Sequence, residues 1–479
     1  MGSGDGGLQR HFGLLQATAL NVTMIVGAGV FITIPLMLEK VPGPYALLGW
    51  LAAGALVLVD SLVWSELGAT LPGSGGSYLY LLECYGRQRW GRLMAFLFIW
   101  QFLLSGPLEI ASGLIAMDSF SQSLSPAFQE YNRAHTFKVV LWQGEKPEEQ
   151  MDLTISPARL GCMAVGVVIL VLLYRRVTVL GRLTVLLGGG VLCIVAWMCV
   201  EGLRHFDAAR AFDFTDSRPA GKSFVLGEVM VLALYSYLGY YNICYIGEEV
   251  RDPGRTIPRA ILLSAVLVCM LFAALHLAML GTVPWQEALA SRQRWRDEYS
   301  LPADFMGRLH GPWAVQLITV LLMGSCFGSA FAGLLGYSRI PYGAARAGHF
   351  FQAVAHVHPR HRIPHVSLLL VGGLTLLWSF FDLQNVISAL ITTRILVQFI
   401  AQIFGVLLLR HAQPDRPRPF RIWLAPLPCG LALAGWLYVY AASGWLFVGL
   451  SVLTLAVGVA AFLLWSWRIS AWPFAGAES

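Results

Sequence analysis

Small residues interrupt the first long apolar run of the chain. The segment Ile25-Val26-Gly27-Ala28-Gly29-Val30-Phe31 sets two glycines around an alanine, in a stretch otherwise suited to a helix. Because glycine adopts unwound conformations at little steric cost, the segment predicts two half-helices separated by a break. The second half-helix would start with free N–H groups and a positive dipole end, which suit a carboxylate. Close packing between helices through the small residues is the alternative interpretation.

A second candidate break lies in the middle of the chain, among tyrosines. The segment Leu234-Tyr235-Ser236-Tyr237-Leu238-Gly239-Tyr240-Tyr241-Asn242 holds one glycine between aromatic side chains, and Pro253 and Pro258 follow it. Free carbonyl groups at such a break attract an ammonium group, and the tyrosine rings can stack on it. An aromatic stripe that packs in a helix core is the alternative interpretation.

The elements that hold these segments have the composition of a membrane protein. Of the 479 residues, 57% are hydrophobic and only 13% are charged, whereas soluble domains carry about 25% charged residues. A spanning helix needs about 20 apolar residues, and the chain contains twelve such runs. They cover roughly residues 13–36, 44–66, 93–117, 158–175, 183–202, 224–247, 259–281, 313–337, 364–382, 384–409, 422–441 and 444–467. The sequence therefore predicts an all-α membrane protein with twelve transmembrane helices.

The two candidate breaks lie in the first and sixth runs, which are the first helices of two five-helix halves. Inverted repeats place broken helices at such corresponding positions. The predicted organisation is a cytoplasmic segment at 1–12, repeats at 13–202 and 224–409, two additional helices at 422–467 and a cytoplasmic tail at 468–479. One positive half-helix end and one set of carbonyls would bind a zwitterion, and an amino acid is the simplest ligand with that charge pattern.

Arginines near the ends of the runs predict the orientation in the membrane, because cytoplasmic loops carry an excess of basic residues. They cluster in one set of loops: Arg87, Arg89, Arg92, Arg175, Arg176, Arg182, Arg251, Arg255, Arg259, Arg339, Arg346, Arg360, Arg362, Arg410, Arg416, Arg418 and Arg421. We therefore expect both termini in the cytoplasm. The membrane would be a plasma membrane, by analogy a bacterial inner membrane.

The composition also limits the partners. The net charge of +6 is scattered between apolar runs, so we expect the lipid bilayer and a small molecule as partners, and no nucleic acid. The outer loops, at 120–157, 203–223 and 282–312, are expected to be partly helical and contain no cysteine. We therefore expect no disulfide-linked partner subunit. No cysteine or acid completes a site around His356, His358, His361 and His365, so neither a metal nor a cofactor is expected.

Several motifs, in this order and spacing, resemble a known family over about Leu14 to Arg421. They are Gly27-Ala28-Gly29-Val30-Phe31, Glu66-Leu67-Gly68-Ala69-Thr70-Leu71-Pro72, Ser74-Gly75-Gly76, Tyr78-Leu79-Tyr80, Gly247-Glu248-Glu249-Val250-Arg251-Asp252-Pro253, Ile257-Pro258-Arg259-Ala260, Ser325-Cys326-Phe327-Gly328, Ser338-Arg339 and Ala345-Arg346-Ala347-Gly348-His349. The chain resembles the amino acid–polyamine–organocation (APC) superfamily, nearest its L-type amino acid transporter branch and bacterial relatives.

The resemblance implies a LeuT-like fold of five plus five helices, with alternating access to a central site. It implies that the substrate carboxylate meets the backbone amides of Ala28, Gly29 and Val30. The substrate amine would meet carbonyls of Ile25, Tyr235, Ser236 and Leu238, beside the break glycines Gly27 and Gly239. Tyr235 takes the place of an aromatic gate, and Tyr240 that of an aromatic shaping the side-chain pocket.

The chain departs from the family pattern at two positions. Many relatives carry a lysine in the middle of the fifth helix, where Val191 stands here, so a lysine-based coupling mechanism is in doubt. Leu238 stands where L-type relatives often have glycine, which should shrink or reshape the substrate pocket.

Other polar residues are candidates for coupling or gating. Arg394 lies midway along the tenth run, where a charge usually faces a cavity or a partner; snorkelling is the alternative. Ser325 and Ser329 would complete a cation site or bond their own helix backbone. Glu248 and Glu249 are expected to cap a cytoplasmic gate by pairing with arginines.

The predicted function is secondary transport of neutral L-amino acids, by exchange or with proton coupling, and not catalysis. The alternatives are a cationic amino acid or polyamine carrier, and a transporter-like amino acid sensor. A cationic carrier should hold a carboxylate at the centre of the first or sixth run, and these centres hold none.

Overall fold

The computed structural model describes residues 12–27, 29–73, 75–143, 150–175, 180–215, 217, 225–295, 299–359 and 363–474, with no side chains described at 180–188. Twenty α-helices follow one another in these parts of the chain. They are α1 (Leu14–Ile25), α2 (Gly29–Lys40), α3 (Leu47–Thr70), α4 (Ser77–Cys84), α5 (Trp90–Ser121), α6 (Pro126–Ala134), α7 (Pro157–Tyr174), α8 (Leu180–Arg204), α9 (Ala208–Ala211), α10 (Val225–Tyr237), α11 (Pro253–Thr282), α12 (Trp285–Trp295), α13 (Leu301–His310), α14 (Pro312–Tyr337), α15 (Arg339–Arg346), α16 (His365–Trp378), α17 (Leu383–Arg394), α18 (Ala401–Ala412), α19 (Pro426–Ala442) and α20 (Trp445–Arg468).

Many of these helices are long and apolar enough to cross a membrane. Among the described residues seven helical stretches meet that condition, and the bent pair of α1 and α2 raises the number to eight. Three shorter apolar helices are α10, α16 and α19, while α8 covers the predicted run 183–202. The prediction of a multi-span all-α membrane protein is confirmed. The number of twelve spans and the inverted repeat stay predictions.

The loop after α5 contains a two-stranded sheet that the apolar pattern did not predict. Strands β1 (Phe137–Trp142) and β2 (Met151–Ile155) pair antiparallel, with Phe137 opposite Ile155. The N–H of Thr154 donates to the carbonyl of Phe380 at 2.7 Å, which fixes the hairpin to the segment between α16 and α17. The loop is therefore partly helical, through α6, and partly β.

Buried ion pairs hold the two ends of the bundle. At one end, Arg159 donates to Asp118 at 2.6 Å and to the carbonyls of Ser379 and Phe381. At the other, Glu66 of α3 accepts from Arg410 Nε at 2.7 Å and from the N–H of Ile422 at 2.7 Å. We call these ends the Asp118 side and the Glu66 side. Each pair joins helices that are distant in sequence, so each fixes how the bundle closes.

The chain before α1 is tied to the segment after α10 on the Glu66 side. Phe12 donates its N–H to the carbonyl of Glu249 at 3.1 Å, and the N–H of Arg251 donates to Phe12 at 2.9 Å. These bonds form a parallel bridge between Phe12 and Val250.

Candidate functional site

The first predicted break is present in the structure. Helix α1 ends at Ile25 and α2 begins at Gly29, with an angle of 47° between the two helices. The N–H of Gly27 donates to the carbonyl of Ile25 at 2.9 Å, which closes a tight turn. Because α2 begins at Gly29, its first N–H groups lack the carbonyls of a preceding helical turn. Ala28 lies outside the described residues.

The second predicted break also lies at its glycine, but the helix does not resume as an α-helix. Helix α10 ends at Tyr237, and 3₁₀ turns follow at Asn242–Tyr245 and Gly247–Glu249. Gly239 has a φ of +105°, and a Cβ there would lie 3.3 Å from the carbonyl oxygen of Met24. Both the conformation and the close approach of α1 therefore require glycine. The predicted run 224–247 is α-helical only in its first half.

The two breaks meet in the interior of the bundle. A Cβ on Gly29 would lie 3.2 Å from Tyr235 Cε1 and 3.5 Å from Ser236 Oγ. The hydroxyls of Thr33 and Ser236 are 2.9 Å apart. The amide end of α2 is therefore packed against the last turn of α10, which places the predicted carboxylate and ammonium contacts beside each other.

Asn21 of α1 satisfies backbone groups that the second break frees. Its Nδ2 donates to the carbonyl of Tyr240 at 2.7 Å and to the Ser264 hydroxyl at 3.2 Å. Its Oδ1 accepts from the N–H of Ile243 at 3.0 Å. Exposed backbone groups are costly in a membrane unless a partner satisfies them, so Asn21 makes the unwound segment tolerable.

The tyrosines of the second break have hydroxyl partners on other helices. Tyr235 is 2.7 Å from Ser112 Oγ on α5. Tyr240 is only 1% exposed and donates to Asp60 Oδ2 on α3 at 2.5 Å. The rings are thus held in fixed positions around the break. Leu238 is also buried, with an exposed fraction of 6%.

A polar network adjoins Tyr235. Arg394, the last residue of α17, lies 2.6 Å from Glu109 Oε2 on α5 and 3.3 Å from the hydroxyl of Tyr241. Tyr337 donates to Glu109 Oε1 at 2.8 Å. Glu109 and Ser112 are one helical turn apart, so the network and Tyr235 share the same stretch of α5. Arg394 is paired rather than snorkelling.

The remaining predicted residues lie elsewhere. Val191 packs in the main hydrophobic core. Ser325 is buried, and its hydroxyl finds no hydrogen-bond partner among the described residues, while Ser329 is exposed. Glu248 is exposed, and Glu249 accepts a backbone bond from Phe12. The coupling and gating roles of these residues stay predictions.

Sequence reasoning missed Asn21, Asp60, Glu109 and Ser112. Asp60 lies in the predicted run 44–66 and Glu109 in the run 93–117. A carboxylate inside a spanning helix is itself a signal of function, so that rule would have found both acids. Asn21 and Ser112 carry no comparable signal, because polar neutral residues are common in membrane helices.

A tyrosine–histidine contact links α4 to the segment after α15 on the Glu66 side. The hydroxyl of Tyr78, on α4, contacts Nδ1 of His349, which follows α15. Burial lowers the pKa of His349, and the nearby Arg92 and Arg87 lower it further. Burial raises the pKa of Tyr78 to about 12. Both side chains are therefore neutral at pH 7.

Within the described parts of the chain, no three His, Cys, Asp or Glu side chains are placed to hold a metal ion. His361 of the predicted cluster lies outside those parts.

A bundle of apolar helices whose two breaks meet in its interior has the architecture of a membrane transporter. The profile of the family described as "Amino acid permease" matches residues 12–470, and the chain belongs to that family. The resemblance to the APC superfamily is thereby confirmed. The chain is a multi-pass transporter of amino acids, and not an enzyme.

The chain is similar to curated transporters from animals and bacteria. The human "Cystine/glutamate transporter" is 28% identical over 420 residues, which cover 87% of this chain and 77% of that protein. The human "Large neutral amino acids transporter small subunit 2" is 27% identical over 474 residues, covering 90% and 80%. The "Serine/threonine exchanger SteT" of Bacillus subtilis (strain 168) is 24% identical over 459 residues, covering 95% and 96%.

Proposed function

We propose that this protein exchanges neutral L-amino acids across a plasma membrane, by alternating access to a site between the two helix breaks. The observation that carries the proposal is the close approach of Gly29 to Tyr235 and Ser236, which leaves no room for a Cβ without contact to both. It sets the positive end of α2 against the end of α10, where helix carbonyls are free. A carboxylate and an ammonium group separated by one carbon match these two ends.

Exchange of neutral substrates is supported by the relatives and by the local sequence. One relative is named a serine/threonine exchanger, and another a transporter of large neutral amino acids. The segments 25–31 and 234–242 contain no charged residue. A polyamine or cationic substrate would need an acid there, so the neutral class fits better.

Each backbone and side-chain role at the site is part of the proposal. The amides of Ala28, Gly29 and Val30 bind the substrate carboxylate. Carbonyls of Ile25, Tyr235, Ser236 and Leu238 bind the amine. The positive φ of Gly239 ends the helical path of the backbone, so that carbonyls of the last turn are free to accept from the amine. Tyr235 closes over the substrate, and Tyr240 bounds the side-chain pocket.

The proposed architecture has twelve spans. Repeats at 13–202 and 224–409 and additional helices at 422–467 account for the helices in order, with both termini in the cytoplasm of a bacterial cell. Contacts of Glu66 with Arg410 and Ile422 support it, because they set the loops after the second and tenth runs at one end.

We also propose that the protein works without a disulfide-linked partner subunit. One relative is named a small subunit, but the outer loops of this chain contain no cysteine. Non-reducing electrophoresis of the protein from its native membrane would show a shift on reduction if a subunit were attached.

The function is tested by uptake of labelled amino acids into liposomes that hold the purified protein. We expect uptake of neutral amino acids only when the lumen contains unlabelled amino acid. Uptake driven by a pH or sodium gradient without internal amino acid would show that the protein is a coupled transporter rather than an exchanger. Binding without flux would show that the protein is a sensor. Liposomes that hold Gly29→Val serve as the matched inactive control.

A further inference from the structure

Glu109 is a partly exposed carboxylate in the middle of α5. Its side chain is 27% exposed, although it lies well inside an apolar helix of 32 residues. One oxygen is bound by Arg394 and the other by Tyr337, at 2.6 and 2.8 Å. An ionised group at this depth is costly unless it is paired or faces a water-filled cavity. Glu109 is paired, and its exposed fraction shows that it also faces space that no protein atom fills.

Arg394 is almost fully buried and keeps unused hydrogen-bonding capacity. Its side chain is 2% exposed, and its Nε finds no partner among the described residues. A π-helical turn at Ile395–Ile400 follows it directly, and such turns frequently occur at functional sites. Glu109 is the acid that neutralises this cation.

The pair lies next to the proposed substrate site. Arg394 donates to Tyr241, two residues after the break glycine Gly239. Ser112, one turn along α5 from Glu109, contacts the hydroxyl of Tyr235. A substrate side chain that extends from the breaks toward α5 would therefore meet Glu109 and Arg394.

We propose that Glu109 is a specificity-determining residue, which with Arg394 forms a charge filter for the substrate side chain. The proposal rests on the proposed function. The two opposite charges cancel, so the cavity offers no net charge to a neutral side chain. An acidic side chain is repelled by Glu109, and a basic one by Arg394. Removal of one of the two residues leaves the charge of the other unpaired. The transporter then prefers a substrate side chain whose charge is opposite to that of the remaining residue.

The experiment compares labelled leucine, glutamate and lysine in exchange-loaded liposomes. The proteins are the wild type, Glu109→Gln, Arg394→Gln and the double variant E109Q/R394Q, with Glu83→Gln as control. Glu83 lies on α4 and pairs with Arg87, which is 65% exposed, so neither residue belongs to the two breaks. We expect the wild type to exchange leucine and to exclude both charged amino acids.

The single variants should shift in opposite directions. Glu109→Gln should raise the uptake ratio of glutamate to leucine by about tenfold or more. The reason is that a like-charge contact between Glu109 and a glutamate side chain weakens binding by more than about tenfold, and the variant removes it. Arg394→Gln should instead raise the ratio for lysine. The double variant should again prefer leucine over both charged amino acids, and Glu83→Gln should show the same uptake ratios as the wild type.

The outcomes separate this inference from the proposed function. If the wild type exchanges no amino acid at all, the proposed function fails. If it exchanges leucine and admits glutamate or lysine equally well, only the charge filter is overturned, and that measurement needs no variant to fold. Unchanged ratios in folded single variants, verified by size-exclusion chromatography, overturn it too.

Discussion

The phenol of Tyr240 donates to the buried carboxylate of Asp60 at 2.5 Å. Trp436 Nε1 donates to the other carboxylate oxygen at 3.1 Å, so Asp60 joins the second break to α19 through α3. Asp60→Leu should lower the free energy of unfolding by about 1–3 kcal/mol for each donor left unpaired in the interior. The thermal midpoint in detergent checks this.

A double-mutant cycle isolates the bond between these two residues. Tyr240→Phe removes one donor, so the combined variant should lose less stability than the sum of the single changes. Strict additivity would show that the two groups do not interact in solution.

Gly29→Val should abolish transport while the protein stays folded. The added side chain would begin 3.2 Å from Tyr235 and 3.5 Å from the Ser236 hydroxyl, where the substrate carboxylate is expected. The initial rate of leucine exchange in liposomes is the measurement. Gly336→Ala is the matched control, because a Cβ at Gly336 meets no atom within 4 Å. A normal rate of exchange by Gly29→Val would show that Gly29 does not line the substrate site.

Glu66→Ala should destabilise the protein far more than a surface acid does. Glu66 is 2% exposed and pairs with Arg410, which is 18% exposed, and removal of one partner of a buried pair costs about 3–5 kcal/mol. The control Glu287→Ala breaks a pair in which Glu287 is 58% and Arg308 is 35% exposed, and should cost about 0–1 kcal/mol. Thermal midpoints of the two variants should differ accordingly; equal losses would contradict the role of Glu66.

The burial of His349, together with the nearby Arg92 and Arg87, should make stability depend on pH. The pKa of His349 in the folded protein lies below its ordinary value of 6.5. The unfolded chain therefore binds the proton first as the pH falls, and stability declines below about pH 6.5. The thermal midpoint of the wild type should fall more between pH 7.5 and 5.5 than that of His349→Gln. Equal pH responses would exclude His349 as the cause.

The sequence was sufficient to predict the helix breaks, because glycine in a spanning run has a direct conformational meaning. It was not sufficient to predict which polar side chains pair with each other in the interior. Glu109 and Arg394 are 285 residues apart, and hydropathy averages out a single acid in a long apolar run. The lack of an α-helix after the second break, between Tyr237 and Pro253, was also not predicted, since the apolar character of the chain continues beyond the break. Strands β1 and β2 were not predicted because these short segments lie outside any apolar run long enough to span.

The bridge between Phe12 and Val250 has a mechanical consequence. Asn21 already couples α1 to the unwound segment at mid-depth, and the bridge couples them again at the Glu66 side. Because α1 is attached to this segment at two depths, the two cannot rotate independently about a single point. Any tilt of α1 away from the bundle must carry the segment 239–251 with it, so a single rocking arm made of both breaks would open this side to substrate.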